Sequence, residues 1–203
     1  MTQQIYFYPK WLRFWHQINA LMFLMLIVTG LSMQYGLFRI RFDVAVSVHN
    51  ICGIILAFNY LIFIVGNLLS KNYKYYLLQF NGFFKDLKIQ IQYYCFGLFK
   101  GQAPPFPLNK ERKFNPLQKL SYAMVMFVFV PVMVLSGLAL LFPQLILNKI
   151  FGIPGIILTD MLHIIAGFLG SMFMIIHVYF CTIGAKPTAS FKSIINGYHE
   201  VAD

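Results

Sequence analysis

Four of the five histidines in this 203-residue chain, His16, His49, His163 and His177, lie in long stretches of apolar sequence. Ionisable groups in such surroundings are expensive and usually serve a site. His163 and His177 are 14 residues apart, which on a helix is about 21 Å along the axis and about 40° from eclipsed. One helix would therefore present two imidazoles on nearly the same face, at two depths. Counted from the ends of their own stretches, His49 matches the depth of His163, and His16 matches that of His177. Two imidazoles from different helices at each depth are what bis-histidine ligation of a haem iron requires, so the pairing predicts two haems b with His49/His163 at one and His16/His177 at the other. A single membrane histidine is readily explained as an interhelical hydrogen-bonding group. Four of them, paired by depth, are not. The fifth, His199, stands beside Glu200 in the polar tail and reads as solvated.

The elements that must carry these residues are apolar spans. Hydrophobic residues make up 59% of the chain and charged residues 11%, against about a quarter charged in an ordinary soluble domain. No Asp, Glu, Lys or Arg occurs in 14–38, 44–70, 120–148 or 161–185, and about 20 apolar residues cross the hydrocarbon core as a helix. The stretches are apolar all round, as lipid-facing helices are, so periodicity adds nothing. We expect an all-α membrane protein, a four-transmembrane-helix bundle forming one domain over 1–203, with helices at about 14–37, 44–69, 117–142 and 157–184. The first is too long, and too poor in small-residue cleavage sites, to be a removable signal. Pro131 is expected to kink the third. Gly30, Gly53, Gly137, Gly167 and Gly170 fall where flat macrocycles would approach the backbone. Cys52, Cys95 and Cys181 form no C-x-x-C or C-x-x-C-H pair, which excludes covalent c-type attachment and gives no support to zinc or iron–sulfur.

The formal charge of +10 is distributed as a membrane protein distributes it, and no nucleic-acid partner is expected. With the N-terminus in the cytoplasm, thirteen of the sixteen basic residues fall on that side: Lys10, Arg13, those from Lys71 to Lys119, Lys186 and Lys192. Only Arg39, Arg41 and Lys149 fall outside, so both termini are expected in the cytoplasm. The outer connections are Arg39–Asp43 and Pro143–Thr159. The inner one is long, and its part from about 73 to 100 mixes Lys85, Asp86 and Lys88 with Phe80, Phe83, Phe84, Leu87, Ile91 and Tyr94. It reads as an amphipathic cytoplasmic segment lying along the interface, broken by Ala103-Pro104-Pro105-Phe106-Pro107.

Several short motifs carry a family resemblance over nearly the whole chain: Trp11-Leu12-Arg13-Phe14-Trp15-His16, Thr29-Gly30, His49 with Gly53, Lys113-Phe114-Asn115-Pro116-Leu117-Gln118-Lys119 leading to Tyr122, then His163, Ala166, His177 and Tyr179, and the 184–197 tail with Pro187 and Phe191. In these the chain resembles the cytochrome b subunits of bacterial hydrogenases, formate dehydrogenases and thiosulfate reductases, the cytochrome b561/hydrogenase-type group. The resemblance implies His49 and His163 on an outer haem, His16 and His177 on an inner haem, and menaquinone or ubiquinone near the inner one. It places Asn115, with Gln118 and Lys119, at the quinone. Arg13 and Arg41 are candidates to neutralise haem propionates, with headgroup contacts as the alternative.

The function so implied is electron transfer by a subunit of a respiratory oxidoreductase complex, not a stand-alone enzyme. It would work in the bacterial cytoplasmic (inner) membrane, between the quinone pool and a catalytic, iron–sulfur or multihaem partner on the periplasmic side. Two alternatives stay open: a transmembrane electron conduit without a quinone site, and a haem-free membrane anchor or transporter.

Overall fold

The computed structural model describes residues 3–78, 81–109, 112–183 and 187–201; the expectations placed on Phe80, Gly184 and Lys186 lie outside them. Four helices are long and apolar enough to cross a membrane: α1 (Lys10–Tyr35), α2 (Phe42–Leu69), α4 (Pro116–Leu141) and α5 (Gly155–Cys181). Two short helices, α3 (Phe83–Gln92) and α6 (Ala189–Asn196), precede and follow the second pair.

Helix α1 begins at Lys10, earlier than the charge-free stretch alone predicts, because Pro9 sets an extended N-cap and Lys10 and Arg13 are good helix formers at a wet helix end. It stops at Gly36, whose left-handed backbone (φ 67°) lets its N–H bond the Ser32 carbonyl at 2.9 Å. Helix α5 starts at Gly155 and ends at Cys181, short of the expected 184. In α4 the turn Val125–Phe129 is π-helical, directly ahead of Pro131. The widened turn is how the helix accommodates a ring that has no N–H to offer.

Apolar side chains along the spans point outward: Leu24, Ile62, Leu135 and Ile175 are all more than half exposed. In water this would be an untenable surface; towards lipid it is the expected one. The interior is small and aromatic. Leu12, Trp15, Leu56, Phe63, Met126 and Val130 form its buried centre. Helices α1 and α2 are bolted together by a reciprocal pair in which Trp15 Nε1 donates to the Asn59 carbonyl at 2.8 Å and Asn59 Nδ2 donates to the Trp15 carbonyl at 3.1 Å. Buried polar groups at membrane depth must be satisfied in this way.

Helix in the amphipathic segment starts later than expected. It comprises α3, a π-helical turn at Tyr93–Gly97 and a 3-10 turn at Leu98–Lys100, with a separate 3-10 turn, Asn72–Tyr75, before them among the described residues. Helix α3 buries Phe83 and Gln90, seven residues apart, and leaves Phe84 and Ile91 exposed beside Lys88. Among the described residues, two small two-stranded sheets depart from the all-helical expectation. β2 (Lys149–Ile150) pairs with β3 (Ile153–Pro154), and β1 (Gln3–Tyr6) pairs antiparallel with β4 (Tyr198–Val201), joining the two ends of the chain. This places His199 against protein: its Nδ1 is 2.9 Å from Ser193 Oγ and its ring stacks on Phe7, so it is not the solvated residue expected from its polar neighbours.

Candidate functional site

The four span histidines meet as two pairs. His49 on α2 and His163 on α5 have ring centres 6.3 Å apart, and His16 on α1 and His177 on α5 have ring centres 6.4 Å apart. A metal–nitrogen bond of about 2 Å on each side of one ion puts two imidazole centres about 6 Å apart. Both pairs therefore have the separation that two imidazoles would need to share one iron.

The surroundings fit a macrocycle as well. A Cβ on Gly137 would lie 3.1 Å from His163 Cε1, and one on Gly30 would lie 3.5 Å from His49 Cε1, so glycine at both places makes room for the ligand rings. A Cβ on Gly170, midway between the α5 histidines, would strike Phe129 at 2.8 Å. At the other level Phe173 stacks on His177 at 5.7 Å and Tyr122 meets it edge-on at 6.0 Å. Among the described residues no cluster of three or more His, Cys, Asp or Glu side chains is poised for a metal ion. Two imidazoles facing each other inside an apolar helix bundle are a donor set for haem iron rather than for a bare cation.

Two hydroxyls that the sequence left unassigned hold the first pair. Thr29 Oγ1 lies 2.9 Å from His49 Nδ1, and Ser136 Oγ lies 2.8 Å from His163 Nδ1. Each hydroxyl already donates its one proton to the carbonyl four residues back, Thr29 to Met25 and Ser136 to Val132, both at 2.7 Å. Each is thus left to accept from an Nδ1–H, which keeps the Nε2 lone pair free for a metal. The signal was a hydroxyl–glycine dipeptide, Thr29-Gly30 and Ser136-Gly137, occurring once in each of two apolar spans.

Arg13 lies on α1 one turn from His16. Its guanidinium donates through Nη1 to the Ile195 carbonyl, while Nε is buried without a hydrogen-bond partner among the described residues. Arg41 is instead turned outward and held by Asp43 at 2.7 and 3.2 Å. Asn115 starts α4. Its Oδ1 accepts from the Gln118 N–H at 2.9 Å, and Gln118 Oε1 accepts from the Asn115 N–H at 3.1 Å, a capping box with Pro116 in the first turn. Asn115 Nδ2 donates to Tyr94 Oη at 2.9 Å, so both polar atoms of its side chain are engaged. Lys119 follows one turn along.

At the same end of the bundle Lys113 is only 3% exposed, with Nζ over the rings of Tyr8, Tyr75 and Phe114 at 4.8, 5.1 and 5.9 Å. Its one hydrogen bond, 3.3 Å to Asn72 Oδ1, continues through Asn72 Nδ2 to Asn67 Oδ1 at 2.8 Å. Burial pulls the Lys113 ammonium down to about 8 and pushes the Tyr8 phenol up to about 12. Burial also raises Tyr94, with the Asn115 hydrogen bond acting against it.

Four apolar helices with two opposed imidazole pairs, one flanked by Gly30 and Gly137 and the other by the rings of Tyr122 and Phe173, define a multi-pass membrane cytochrome. Sequence comparison agrees: residues 7–197 match the family model for prokaryotic cytochrome b561, and the chain belongs to that family. It is also 34% identical over 198 residues to the Escherichia coli (strain K12) protein named "Putative cytochrome YdhU", an alignment covering 97% of this chain and 75% of that one. Haem b and electron transfer come with membership of the family.

Proposed function

We propose that the protein is a dihaem cytochrome b, the membrane subunit of a respiratory oxidoreductase complex that passes electrons between a quinone pool and a partner redox subunit. The observation that carries this reading is the pair of 6.3 and 6.4 Å imidazole separations at two levels of one bundle. Haem bound at each level supplies a one-electron iron couple.

The chain's own residues do the rest. His49 and His163 hold the outer group, and His16 and His177 the cytoplasmic one. Neutral imidazoles avoid burying a permanent charge, and the apolar walls keep water away. The Nε of Arg13, without a partner among the described residues, is a donor for a propionate beside the cytoplasmic pair. Arg41, already paired with Asp43, acts at the outer surface. The charge asymmetry puts the long basic connection and both termini in the cytoplasm of a bacterial inner membrane, with catalytic, iron–sulfur or multihaem partners on the periplasmic face. Menaquinone or ubiquinone would be met at the cytoplasmic end by Asn115, Gln118, Lys119 and the neighbouring Tyr94.

A second reading, an electron conduit without a quinone site, is favoured by one fact: both polar atoms of Asn115 already have protein partners. Quinol-driven reduction of the purified cytochrome separates the two. The leading reading expects reduction by menaquinol or ubiquinol, slowed at least tenfold in Asn115→Ala, Gln118→Ala or Lys119→Ala, with chemical reduction unaltered. Rates untouched by all three substitutions would remove the quinone site.

A further inference from the structure

The two imidazole levels are not equivalent. At the His49/His163 level each ring has its Nδ1 on a hydroxyl, at 2.9 Å for Thr29 and 2.8 Å for Ser136. At the His16/His177 level, among the described residues, the ring nitrogens meet nothing stronger than the Cys181 thiol, 3.9 Å from His177 Nε2. The outer arrangement is also built twice over. Thr29 and Gly30 stand on α1 against His49 on α2; Ser136 and Gly137 stand on α4 against His163 on α5. In each case the hydroxyl fixes the ring and the adjacent glycine clears its edge. One such contact would be ordinary helix–helix glue, but a hydroxyl–glycine dipeptide at both outer imidazoles, and at neither inner one among the described residues, is a consistent difference in chemistry.

An N–H that donates to a firmly placed acceptor makes the imidazole more basic at its other nitrogen. A more basic axial ligand stabilises the oxidised metal over the reduced one. The acceptor strength here is real because each hydroxyl is itself polarised by donating to a main-chain carbonyl at 2.7 Å. We propose that Thr29 and Ser136 are positioning residues that hold His49 and His163 in the Nδ1–H form and make the outer redox centre the lower-potential one of the two. This rests on the two-haem reading above and adds to it the side chains that set the two centres apart.

The test is a potentiometric titration of the purified protein followed in the haem absorbance bands. It compares wild type with Thr29→Val, Ser136→Ala and the conservative Thr29→Ser and Ser136→Thr; His163→Ala serves to assign the outer step. The expected result is two one-electron steps, with His163→Ala removing the lower. Thr29→Val and Ser136→Ala raise the lower step by roughly a tenfold change in the redox equilibrium, about 59 mV for one electron. The upper step stays in place and the conservative variants restore the wild-type value. If Thr29→Val sheds the outer haem, retention by Thr29→Ser supports the proposal and loss in both overturns it. The proposal also fails if His163→Ala removes the higher step, or if the apolar variants move neither step or both alike. Wild-type protein without porphyrin sinks the two-haem reading itself, a different result from unshifted potentials in fully loaded variants.

Discussion

A ligand histidine in hydrocarbon needs one nitrogen protonated and bonded, the other bare and aimed. In the proposal above Thr29 and Ser136 do the first for His49 and His163, their own protons being given to the carbonyls behind them. Lys113 sets a different problem at the same scale, since its charge is buried with aromatic faces and one amide for company. Its folded-state value of about 8 lies below the unfolded value of about 10.4. Between the two the unfolded chain binds more protons, so stability rises with pH across that window, and below it the buried charge is a steady cost. Tyr8, held up to about 12, acts oppositely, and its opposition begins only above about pH 10. Between pH 8 and pH 10 the thermal midpoint in detergent should therefore rise more, or fall less, in the wild type than in Lys113→Met; the same pH dependence in both would contradict the assignment. The histidine pairs were legible from spacing alone, because helical geometry converts sequence distance into depth and azimuth. The hydroxyl partners were not, since which helix faces which is a matter of packing, and serine or threonine in a span commonly bonds only its own backbone.

At the scale of elements, glycine placement gives a sharp contrast. Gly137→Ala puts a Cβ 3.1 Å from His163 Cε1, whereas Gly167→Ala on α5 finds only Met133 Cε at 4.0 Å. The first substitution should lower haem occupancy at the His49/His163 level and spare the other level, and the second should leave both intact; absorbance per chain measures this. Asn115→Ala removes the capping box of α4, a loss of about 1 kcal/mol, and the thermal midpoint should fall accordingly whatever happens to quinol oxidation. The four spans were readable because run length in hydrocarbon is a coarse and strong signal. Their ends were less so: Lys10 and Arg13 continue α1 into the interface, where charge does not stop a helix. The pairing of β1 with β4, and with it the packing of His199, depends on bringing opposite ends of the chain together, and nothing local encodes that.

The whole molecule presents lipid-facing apolar residues on its flanks and its basic connection at one end. Cys95, exposed just beyond α3 in that connection, should react with an impermeant maleimide in inverted vesicles and not in intact cells, with Cys95→Ser as control; Cys52 is buried. Labelling from the outside would reverse the orientation and, with it, the assignment of outer and cytoplasmic levels. The most direct measurement of the central claim is haem content per chain in purified wild type, His163→Ala and His177→Ala. Wild type should carry two haems b. Each variant should carry one, and the survivors should differ in spectrum or potential because they occupy different levels. A wild type with no porphyrin, or a variant that still holds two, would contradict the account.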